Sequence, residues 1–188
     1  ILGCGDAFHL VPRVLNYFAD GDFTAALGIG KLVTSVTMTL FYVLLYYVWR
    51  EYFGFPENKG AAAAVWSAAA VRIALCAFPQ NGWLENSSGM TWGIIQNVPF
   101  VALGALICGL YFKSRNESRL FKPVWIYILL SFAFYIPVAV GAGAVPMLGM
   151  LMLPKTVCYI LLIAVFLLAA LKRGGENARV SEENELLQ

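Results

Sequence analysis

Three ionisable residues stand at helical spacing in the first apolar stretch, GDAFHLVPR: Asp6, His9 and Arg13. Offsets of three and seven residues put them on one face of a helix. A carboxylate beside an imidazole is the pairing of a general base with its orienting partner. Histidine also passes protons near neutral pH. Arg13 adds a fixed cation whose planar fork matches a carboxylate or a phosphate. The structural alternative is an intrahelical pair, with Asp6 as glue to His9 or Arg13 and the imidazole neutral and hydrogen-bonded.

Three further cations stand inside apolar runs: Lys31, Arg72 and Lys155. At about 1.5 Å per residue, Arg13, Lys31, Arg72 and Lys155 all fall roughly 7–12 Å below one end of their helices. Gln96, Asn97 and Tyr135 fall at that level too, and His9 and Asp6 lie deeper. Charges within a bilayer are costly and face protein, water or each other. Each cation taken alone could snorkel to the headgroups, and Gln96 and Asn97 could simply bond across helices. Independent snorkelling predicts scattered depths, so a common depth favours a shared polar pocket. Pro12, Pro99, Pro137 and Pro154 each lie within three residues of one of these groups. Prolines inside helices free carbonyls and kink the axis, which widens and wets a bundle at that level. A site with four cations, one histidine and one aspartate selects a small anionic or amphiphilic ligand.

Other chemistry has less to stand on. Ser35, Ser131 and Thr156 are possible hydroxyl nucleophiles, but no GxSxG-type setting surrounds them. One histidine cannot supply a multi-histidine zinc set, so no metal site and no cofactor is expected. The enzyme alternative is a membrane-embedded lipid hydrolase with Asp6 and His9 as the acid–base pair. A third reading takes Lys155, in the last helix, as a retinal-type lysine of a receptor or sensor, on the strength of that one residue.

The elements that must position these groups are helices in a membrane. The 188 residues are 60% hydrophobic and 13% charged, with a mean hydropathy of +0.72, against about 25% charged in soluble domains. Helices are expected over 1–18, 24–49, 61–78, 91–113, 122–141 and 147–171, each near the length that spans a bilayer. Short loops join them into an up-and-down, all-α transmembrane bundle of six helices over 1–172. The chain opens on Ile1 inside an apolar stretch, which points to a seventh helix upstream. The polar, Glu-rich segment 173–188 reads as a disordered tail. Cys4, Cys76, Cys108 and Cys158 are scattered singly in apolar segments and read as packing residues. A net charge of +2 gives no basic patch for nucleic acid.

Nine of the thirteen basic residues fall in the second and fourth loops and the tail: Arg50, Lys59, Lys113, Arg115, Arg119, Lys122, Lys172, Arg173 and Arg179. The opposite loops hold Asp20, Asp22 and Glu85, and the Asn86-Ser87-Ser88 sequon. The basic side is expected to be cytoplasmic, with the C-terminus inside and the pocket facing out.

The segments GDAFHLVPR, KLVTSVTMTLFYVLLYYVWR, RIALCAFPQN, LSFAFYIPV and MLMLPKT resemble a family of uncharacterised multi-pass membrane proteins of bacteria, chiefly Firmicutes. The likeness covers most of residues 3–160. It implies a bacterial cytoplasmic-membrane setting and no catalytic residues. The expectation from sequence is therefore a lipid-embedded bundle that binds or transports a small anionic or amphiphilic solute.

Overall fold

The computed structural model describes residues 11, 23–56, 58–84, 90–141 and 146–186. Among them there is no strand, and five helices are long and apolar enough to cross a membrane. They are α1 (Thr24–Phe53), α2 (Lys59–Ala77), α3 (Met90–Lys113), α4 (Val124–Gly141) and α5 (Met152–Leu186). Short 3-10 turns, Pro79–Asn81 and Pro146–Leu151, precede α3 and α5. Of the expected helix over 1–18 only Val11 is described, so Asp6, His9 and Arg13 lie outside the described residues. The other five expected helices are present.

Local chemistry sets the ends. α1 stops at Gly54, whose φ of 64° places it in the left-handed region that glycine enters without strain. Arg50 lies in the last turn, where a cation complements the helix dipole. The Asn58 side chain caps α2 by accepting from the Gly60 and Ala61 N–H groups at 3.0 and 3.2 Å. At the far end of α2, the Asn81 amide donates to the carbonyls of Leu75 and Phe78 at 2.8 Å. Trp83 Nε1 donates to the Cys76 carbonyl, also at 2.8 Å. These side chains satisfy carbonyls that the helix terminus leaves open.

Chain neighbours pack on one another, α1 on α2, α2 on α3, α3 on α4 and α4 on α5, and α1 also lies against α3. Tyr42 of α1 meets Ser131 of α4 at 3.2 Å, and Tyr111 of α3 donates to the Leu45 carbonyl at 2.9 Å. The core is aromatic. Tyr42 is fully buried, with edge contacts to Phe41 and Phe100 and a tilted one to Phe132. Phe121, in the α3–α4 loop, is packed among Tyr52, Phe53, Tyr111 and Phe166. Trp49 Nε1 donates to Ser114 Oγ at 3.1 Å and ties that loop to α1. Outward positions such as Leu153, Ile160, Leu167 and Leu171 are large, apolar and exposed, as lipid-facing residues are. α5 runs on to Leu186, where composition alone points to a disordered tail from 173. The Glu, Ala, Arg and Leu residues of that segment are good helix formers, and a continuous helix already leads into it.

Close helix approach in lipid depends on small residues, and Gly104 of α3 shows this against α4. A Cβ at Gly104 would overlap the Phe132 ring. Gly104→Leu is therefore expected to separate α3 from α4 and to destabilise the bundle by about 1–3 kcal/mol or more. A thermal melt of the purified protein in detergent checks this, with Gly109→Leu, at a position with no neighbour within 4 Å, as its control.

Candidate functional site

Arg72 lies on α2 and is buried, with 2% of its surface exposed. Its Nη1 donates to the backbone carbonyl of Gln96 on α3. That carbonyl lies one residue beyond that of Ile95, which Pro99 leaves without its helical N–H partner. The guanidinium also stands 5.4 Å from the centre of the Phe100 ring and interacts with Tyr135. Its Nε is buried without a hydrogen-bond partner. Among the described residues no carboxylate pairs with it.

The neighbouring groups form a chain across α3, α4 and α5. Asn97 Nδ2 donates to the Gly93 carbonyl at 2.7 Å, which turns its Oδ1 outward. Tyr135 of α4 donates to that Oδ1 at 2.6 Å. Lys155 of α5 places its Nζ over the Tyr135 ring, 4.6 Å from the centre, and 5.4 Å from that of Tyr159. Lys155 is 4% exposed, so it is held inside the bundle on aromatic faces, an arrangement that favours a cation. Gln96 is buried, and its Oε1 faces Cys76 Sγ at 4.0 Å. Two more buried polar atoms, Asn81 Oδ1 and Trp92 Nε1, have no hydrogen-bond partner. Both lie toward the same end of α2 and α3 as Arg72.

Five of the nine residues singled out from sequence thus meet: Arg72, Gln96, Asn97, Tyr135 and Lys155. Lys31 sits at an exposed position of α1. Asp6, His9 and Arg13 fall outside the described residues. Two of the three candidate hydroxyls are otherwise engaged. Ser131 bonds Tyr42 and donates to the Ile128 carbonyl at 2.9 Å, and Thr156 donates to the Met152 carbonyl at 2.9 Å. Among the described residues neither meets a general base. Cys76, Cys108 and Cys158 are free thiols.

Sequence reasoning passed over Cys76, Phe100 and Tyr159. Each lies four residues beyond a residue that it did select: Arg72, Gln96 and Lys155. One further helical turn along the same face would have found all three.

What the arrangement can do is hold negative charge. Two cations on α2 and α5 bracket a tyrosine hydroxyl and two side-chain amides, within an otherwise apolar bundle. No protein family, no curated protein and no solved structure matches this chain.

Proposed function

We propose that the Arg72–Tyr135–Lys155 cluster is the anion-holding part of a site for a small anionic or amphiphilic solute, which the protein binds or transports. The observation that carries this reading is Arg72. Its guanidinium is buried in an apolar helix, its described partners are neutral, and its Nε is unpaired. A cation in that setting is costly, and a ligand carboxylate or phosphate would offset the cost through charge-assisted hydrogen bonds. Aromatic walls at Phe100, Tyr135 and Tyr159 suit the apolar part of an amphiphile.

On this reading a helix over 1–18 completes a six-helix bundle and brings Asp6, His9 and Arg13 to the same level. The basic loops face the cytoplasm, the C-terminus is inside and the site opens outward. The setting is the cytoplasmic membrane of a bacterium, consistent with the resemblance to Firmicutes membrane proteins.

The test uses benzoate, decanoate and inorganic phosphate as probes on the full chain purified in detergent. At least one carboxylate or phosphate should raise the melting temperature, and Lys155→Met should weaken that response. Uptake of the radiolabelled probe into proteoliposomes then separates a transporter from a binding protein. Stabilisation by none of the three rejects the reading. Release of fatty acid from phospholipid vesicles, lost in His9→Ala, would replace it with the hydrolase on Asp6 and His9.

A further inference from the structure

An open recess with basic residues in its lining lies at the opposite end of the bundle. It has a volume of about 420 Å³ and is lined by Tyr52, Ser118, Arg119, Leu120 and Lys172. Three separate elements meet there: the C-terminal end of α1, the α3–α4 loop and the distal half of α5. We propose that it is a phosphate-binding site that holds the headgroup of an anionic phospholipid at the membrane interface.

The walls are fixed by the fold. Phe121, 1% exposed, anchors the loop among aromatic rings, with Tyr52 at 4.0 Å centre to centre. The Tyr52 and Ser118 hydroxyls bond at 3.2 Å. Backbone bonds from Glu117 N–H to the Ser114 carbonyl and from Val124 N–H to the Phe121 carbonyl hold the turns on either side. Arg119 and Lys172 therefore stand on a rigid frame rather than on a loose loop. Two hydroxyls beside two cations make a donor set for phosphate oxygens, and arginine supplies the planar fork.

The surroundings favour an anion as well. Arg115, Lys113 and Lys122 belong to the same loop region, and Arg173 reaches Glu51 at 3.9 Å. Among the described residues, neither Glu51 nor Glu117 lines the cavity. Basic recesses between spanning helices at the headgroup level are where anionic lipids dock. The apolar rim suits this: Leu120 lines the cavity, and exposed Leu167, Leu168 and Leu171 run along α5 beside it, placing acyl chains against the helix that carries Lys172.

The experiment measures binding of the full chain, in nanodiscs of phosphatidylcholine, to added phosphatidylglycerol, with inorganic phosphate as a separate competitor. Arg119→Gln with Lys172→Gln should weaken binding about tenfold. Arg115→Gln with Lys122→Gln removes the same charge outside the cavity and should weaken binding by a clearly smaller factor, about two- to threefold. Ser118→Ala, a smaller change at a half-buried turn, should weaken it by a lesser factor. Equal loss in both double variants would mean diffuse surface attraction and would overturn the site, as would no preference for phosphatidylglycerol over phosphatidylcholine. Displacement by inorganic phosphate at millimolar concentration would support the phosphate site and make the free anion its occupant. The solute site at Arg72 takes no part in this outcome, since Arg72→Met should leave phosphatidylglycerol binding intact.

Discussion

Arg72→Met will weaken binding of the responding carboxylate or phosphate by about a hundredfold or more and leave the bundle folded. Removing one partner of a buried charge pair costs about 3–5 kcal/mol, which is two to three orders of magnitude in affinity. Stability follows a different rule. Methionine fills much of the arginine volume and carries no charge to desolvate, and replacing buried ions by apolar side chains of similar size is often neutral. Against that gain stands the loss of the charge-assisted bond from Arg72 to the Gln96 carbonyl, about 1.5–3 kcal/mol. The two nearly cancel, so the melting temperature of the unliganded protein should move by only a few degrees. Arg72→Ala adds an unfilled space and should melt lower than Arg72→Met. Arg72→Lys keeps the charge and loses the fork, and should bind between wild type and Arg72→Met. Isothermal titration with decanoate, benzoate and phosphate, beside a thermal melt, reads both quantities. A large fall in melting temperature for Arg72→Met with affinity unchanged would make Arg72 a helix brace and nothing more.

Tyr42→Ala should be the most damaging single change to stability, by about 3–5 kcal/mol, the range for truncating a buried aromatic. Tyr42 is fully buried and touches rings from α1, α3 and α4, so the void opens where three helices meet. Lipid outside is as apolar as the core, so packing rather than water exclusion supplies this stability, and packing is what a truncation removes. Tyr42→Phe keeps the ring and loses the hydroxyl's bond to Ser131 at 3.2 Å and its interaction with Tyr159. Bonds of that kind in membrane bundles average about 0.6 kcal/mol, so Tyr42→Phe should melt close to wild type. Denaturant titration in mixed micelles measures both variants. Equal losses would show that the hydroxyl, not the ring, secures the crossing.

Much of the helical frame could be read in advance because the bilayer simplifies the problem. An uninterrupted apolar run of spanning length has few ways to fold, and α1 to α4 begin and end within a few residues of the expected helices. The segment 173–186 departs from expectation because composition judges it in isolation, whereas in the chain it continues an existing helix. The candidate site was legible as far as charge and depth went. Arg72, Gln96, Asn97, Tyr135 and Lys155 were chosen for being polar at one level, and they meet. Lys31 passed the same filter, yet it occupies an exposed position on α1. Depth fixes a residue's height and not its direction around the helix, and direction depends on how neighbouring helices rotate against each other. For the same reason the aromatic partners were missed: Phe100 and Tyr159 look like any other lipid-facing ring until their orientation is known.

The make-up of α2 carries a consequence for how the protein is assembled. Nearly half of its residues are alanine, and it places Arg72 about a turn and a half inside the end of the span, where a cation costs up to about 2.5–3.5 kcal/mol, the value at a helix centre. That cost weakens insertion of the segment on its own. The groups that accept Arg72, the Gln96 carbonyl and the Phe100 face, belong to the helix synthesised next. α2 is therefore expected to wait at the translocon, or to be held by α1, until α3 has emerged to join it. A chain truncated before α3 should insert α2 less completely, so that biogenesis of the α1–α2 hairpin depends on sequence still inside the ribosome.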